Sequence, residues 1–66
     1  MNERLIFALQ AVRDGTPDKY QEGINFGVAL GIACTYPYEQ QCRINTLILN
    51  ASKYARLERA ARRHAA

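Results

Sequence analysis

The chain has no tryptophan, one histidine, two prolines and two cysteines in 66 residues, and each scarcity closes a route. Cys34 and Cys42 are too few for a secreted disulfide scaffold, and the seven residues between them match neither C-x-x-C nor a zinc spacing. A structural zinc needs four ligands, and the one histidine, His64, lies near the C-terminus, where chains commonly fray. No metal and no cofactor are expected. Neither a glycine-rich phosphate loop followed by lysine and serine nor a G-x-S-x-G nucleophile motif occurs. Asp18 and Glu22 share a helical face at i, i+4, but acids there suit the start of a helix, whose dipole favours them. So short a chain leaves little room for a substrate pocket, so the expectation is a protein that is not an enzyme.

Long apolar runs are also missing. The longest, Ile24 to Cys34 broken only by Asn25, falls well short of the roughly twenty residues a membrane span requires. Met1-Asn2-Glu3-Arg4 passes directly into an amphipathic pattern without the basic region, apolar stretch and cleavage site of a signal peptide. A cytoplasmic protein with no membrane partner is expected.

Sixty-six residues make a single domain, 1–66, which buries only about 60% of its unfolded surface and is therefore marginally stable. Close helix packing and oligomerisation are the stabilising devices that remain. Charge is uneven. Residues 1–35 carry Arg4, Arg13 and Lys19 against Glu3, Asp14, Asp18 and Glu22, whereas residues 36–66 carry Arg43, Lys53, Arg56, Arg59, Arg62 and Arg63 against Glu39 and Glu58. The cationic second half suggests nucleic acid or an acidic partner, and equally suits a helix C-terminus.

The pattern predicts three helices. In the first, Asn2 to Asp14, Leu5, Ile6, Leu9 and Val12 share one face, Asn2 caps the start and Gly15 supplies the stop. Thr16-Pro17-Asp18 reads as the next start, with threonine at the cap and proline at the first helical position, giving a second helix from Pro17 to about Cys34. Tyr36-Pro37 ends it. A third helix then runs from Pro37 to about Arg63, with Glu39 placed to reach back to the cap amide and to pair with Arg43.

Gly23, Gly27 and Gly31 recur every four residues in the second helix, at a cost of about 1 kcal/mol each relative to alanine. Close approach of another helix would offset that cost, as in small-xxx-small contacts. The primary expectation is packing inside one subunit, and the alternative is a contact between subunits.

The third helix is longer than the second, so in an antiparallel hairpin it projects from about Ala55 onward, carrying Leu57, Ala60 and Ala61 on from the apolar stripe of Ile44, Leu47, Ile48, Ala51 and Tyr54. Uncovered apolar surface implies a second chain or a partner, unless the first helix covers it. Arg56, Arg59 and Arg63 form a stripe with Lys53 above and Arg62 beside it, fit for phosphate or carboxylate groups or for a solvated helix end. Tyr20, Tyr36 and Tyr38 are candidates for an interface or for closing the core. A helix-turn-helix fits poorly, because the second helix is long and apolar and Tyr38-Glu39-Gln40-Gln41 lacks cations.

Residues from Gly27 through Ala29 to Pro37-Tyr38 resemble the hairpin turn of the ribosome modulation factor family, whose small basic helical members bind ribosomal RNA. The tryptophan and glycine pattern that follows the turn in that family is absent here.

The reading is therefore all-α: a short first helix packed on an antiparallel hairpin of two longer ones, dimerised through the hairpin. The expected function is a small regulator or inhibitor that binds a protein partner, of the kind phages and mobile elements encode. Lys53, Arg56, Arg59, Arg62, Arg63, Leu57, Tyr36 and Tyr38 are the candidate contact residues, and nucleic-acid binding through the basic helix is the alternative.

Overall fold

The computed structural model describes residues 2–65, with side-chain surroundings through Arg63. Three helices pack together: α1 (Glu3–Asp14), α2 (Lys19–Ala33) and α3 (Tyr38–Ala65). Among the described residues no helix is long and apolar enough to cross a membrane.

Local chemistry sets the ends. Asn2 caps α1 as expected, its Oδ1 accepting from the Leu5 amide at 2.9 Å. Gly15 stops the helix at φ 72° and ψ 177°, a conformation essentially reserved for glycine, while its amide still donates to the Ala11 carbonyl. The cap of α2 is Asp18, not Thr16. Thr16 Oγ1 accepts from the Asp18 amide, and Asp18 Oδ1 accepts from the Tyr20 amide at 2.9 Å, so threonine shapes the turn and aspartate starts the helix. At the α2–α3 turn the tie is Gln41, whose Nε2 donates to the Tyr36 carbonyl at 2.7 Å and the Cys34 carbonyl at 3.3 Å. Glu39 makes neither expected contact, since Pro37 at the cap offers no amide hydrogen and no ion pair forms with Arg43.

Contacts at the two ends fix the directions. The Asn2 amide donates to the Tyr36 hydroxyl, placing the start of α1 beside the end of α2, while a Cβ placed on Gly15 would stand 3.4 Å from the Ala55 Cβ. Arg59 reaches Glu22 near the start of α2. Helices α1 and α3 therefore run the same way, with α2 antiparallel to both.

The core is small. Leu5, Ala8 and Val12 from α1, Ala29 and Ala33 from α2, and Ile44 and Ile48 from α3 form one buried cluster, and among the described residues only Leu5 and Ile48 are large side chains shut off completely. Leu9, Phe26, Leu30, Ile32, Tyr36 and Ala51 pack against its edge. The row that α2 turns inward is thus Ala29 and Ala33, and the glycines face out. A Cβ placed on Gly23, Gly27 or Gly31 would meet nothing within 4 Å, which overturns the expectation that they serve packing inside the subunit.

Helix α1 covers α3 farther along than expected. Ala55 is buried, and Arg59 is tied to the α1–α2 turn, so the projecting part of α3 begins after Arg59. Ala60 and Ala61 are exposed there, and Leu57, just before it, is 60% exposed as well. Twenty-eight residues at 1.5 Å each give about 42 Å, in line with the 43 Å length of the molecule.

Candidate partner-binding groove

The cationic stripe of α3 divides by role. Arg59 lies at the seam of three elements, its Nη2 donating to Glu22 Oε2 at 2.8 Å and to the Thr16 carbonyl at 3.1 Å. Its side chain is 27% exposed. One nitrogen of its fork, Nη2, is therefore spent holding the fold together. Arg56 stands 3.9 Å from the other Glu22 oxygen, and Arg62 lies 3.7 Å from Glu58. Lys53 and Arg63 are exposed and make no ion pair among the described residues. Sequence spacing placed these cations on one helix but could not show that Glu22, thirty-seven positions earlier, would take up one of them.

The three tyrosines do not form one surface. Tyr36 packs at the edge of the core, with its hydroxyl accepting from the Asn2 amide, whereas Tyr38 is exposed. Tyr20 lies at the opposite end of α2 and is exposed as well. Asp18 and Glu22 are likewise engaged, one as a helix cap and the other as an arginine partner. Both cysteines are free and exposed, and no three His, Cys, Asp or Glu side chains group to hold a metal among the described residues. The His64 side chain lies outside the described surroundings.

A feature that the sequence reading missed runs between the parallel helices α1 and α3. Ile6, Leu9, Leu47, Ala51 and Tyr54 line an open groove of about 460 Å³, edged by Gln10, Arg13 and Asn50. At Leu47 it continues into a second depression lined by Tyr36, Gln40, Arg43 and Ile44. Ile6, Leu47 and Tyr54 are each well exposed despite their apolar bulk. The cause is helical geometry: Leu5 and Val12 take the centre of the α1 face, leaving Ile6 and Leu9 at its border with α3.

Charge along this groove has one sign. Arg13 and Arg43 are its only ionised lining groups among the described residues. The Arg13 guanidinium sits 5.2 Å from the centre of the Tyr54 ring, a cation–π contact that positions both. Glu58, one turn beyond Tyr54, accepts from the Tyr54 hydroxyl at 3.2 Å and is paired with Arg62. The signal available in the sequence was the apolar pair Ile6 and Leu9 beside the larger row, together with Leu47 and Tyr54 seven residues apart on α3.

Comparison with protein-family models, with curated proteins and with solved structures finds no match. The resemblance of residues 27–38 to the ribosome modulation factor turn gains no support from them.

Proposed function

We propose that this chain is a small, non-enzymatic regulator or inhibitor that acts as a homodimer and binds an acidic amphipathic segment of a protein partner in the α1–α3 groove. The observation that carries the reading is an apolar groove whose only ionised lining groups among the described residues are Arg13 and Arg43. A helix laid along it would bury Ile6, Leu47 and Tyr54 under its apolar face, as in helix-in-groove recognition, with its acids meeting the two arginines at the rim. Leu57 and Tyr38, both exposed, extend the apolar surface elsewhere on α3.

The test compares variants rather than relying on capture alone. Wild type and Arg63→Ala retain the same partner from host lysate, while Leu47→Glu, which places an acid on the groove floor, loses it. Equal retention by Leu47→Glu overturns the groove as the binding site.

Nucleic-acid binding remains the second reading, through Lys53, Arg56, Arg62 and Arg63. Its stripe loses Arg59 to the internal bond with Glu22. Titration of generic DNA and RNA against salt decides it: affinity that falls steeply as salt rises supports it, and no binding at low salt removes it.

A further inference from the structure

The outer face of α2 has no counterpart in its own chain. From Gly23 to Cys34 its exposed positions are Gly23, Ile24, Gly27, Val28, Gly31 and Cys34, without one charged or amide side chain among them. Val28 is 52% exposed and Ile24 42%, and Tyr20 extends the row one turn earlier. The three glycines beside this row weaken the helix by about 1 kcal/mol each, and no neighbour in the subunit offsets that loss.

We infer that this face is the homodimer interface, with α2 of one subunit packed on α2 of a second copy of the chain across a two-fold axis. The inference rests on the dimeric part of the proposed function and names the surface that serves it. Surface area supports the occupant. A folded monomer of this mass is expected to expose about 4,200 Å². This chain exposes 5142 Å². The surplus of about 900 Å², taken over the whole molecule with the groove and the end of α3 included, is of the size of the roughly 800 Å² that each partner contributes to a stable interface.

Shape supports it as well. Tyr20, Ile24 and Val28 form a ridge along the i, i+4 direction, and Gly23, Gly27 and Gly31 form the adjacent trench in the same direction. A ridge and a trench side by side on one helix are self-complementary under two-fold rotation, so each ridge seats in the other trench with the axes crossing at about −50°. A second exposed surface, the C-terminal half of α3, carries Lys53, Arg56, Arg62 and Arg63. Pairing it with a second copy would oppose like charges, and the uncharged α2 face avoids that cost.

Sedimentation equilibrium over a concentration series tests the inference, with circular dichroism confirming the fold of each variant. Wild type sediments as a dimer, and its thermal midpoint rises with protein concentration. Val28→Glu and Ile24→Glu keep the helix content and weaken dimerisation by about 30-fold or more, as expected for residues central to an interface. Leu47→Glu, in the groove, dimerises as wild type does.

A wild-type monomer at every concentration overturns both the dimer and the interface. A dimer that survives Val28→Glu and Ile24→Glu, or that Leu57→Glu dissolves instead, overturns the α2 assignment while leaving the dimeric reading in place. Neither result bears on the groove, which is read by partner retention.

Discussion

Arg59 and Glu22, thirty-seven residues apart, meet at 2.8 Å where α3 passes the start of α2, and the same guanidinium holds the Thr16 carbonyl of the α1–α2 turn. One side chain thus joins two helices and the turn before α2 in a molecule with few buried side chains to spare.

Arg59→Ala is therefore expected to lower stability by about 1.5–3 kcal/mol, the scale of hydrogen bonds that involve a charged group. Arg63→Ala, on the same helical face but unpaired, leaves stability within about 0.5 kcal/mol of wild type. Urea unfolding followed by circular dichroism checks both, and equal midpoints for the two variants would count against the tie.

Ile48→Ala removes one of only two large side chains that are fully buried among the described residues. Such a truncation costs about 2–5 kcal/mol. At about 0.05–0.15 kcal/mol per residue, the whole chain has roughly 3–10 kcal/mol to lose. A largely unfolded variant at 37 °C is expected by circular dichroism, and a native melting curve would show that the core is larger than the described cluster.

Gly15→Ala forces a side chain into a backbone conformation open essentially to glycine, with the Ala55 Cβ already 3.4 Å from where the new methyl would sit. A loss of about 1–3 kcal/mol is expected in thermal unfolding.

Gly27→Ala has the opposite sign. Its new methyl meets nothing in the subunit, so the helix gains about 1 kcal/mol of propensity and the dilute protein melts higher. Gly27→Leu keeps the fold for the same reason and reports on assembly alone. A drop in helix content for either variant would mean that the glycine face packs inside the subunit after all.

What could be read from the sequence was what depends on neighbours a few residues away. Asn2 and Gly15 revealed both ends of α1, because a cap and a left-handed stop are chosen by local hydrogen bonds and sterics. Thr16-Pro17-Asp18 misled by two residues, since threonine and aspartate both offer an oxygen and only the turn geometry decides which one starts the helix. The spacing of Gly23, Gly27 and Gly31 placed them on one face but could not say which way that face looks. Ala29 and Ala33 form a competing small row and turn inward, because Phe26 and Leu30 beside them reach the core edge. The groove was the least legible feature, for it arises between two helices and neither Ile6 nor Leu47 signals it alone.

Beyond Arg59, α3 keeps its hydrogen-bonded ladder while Ala60, Ala61, Arg62 and Arg63 stand exposed. Those turns extend a helix that is already nucleated, so each residue added or lost shifts the free energy by only a fraction of RT near the helix–coil balance. The reach of the molecule is consequently a thermodynamic variable, shortened by warming turn by turn within microseconds while the bundle below stays intact. Amide exchange would record this as protection that declines smoothly along the final helix rather than breaking at one boundary.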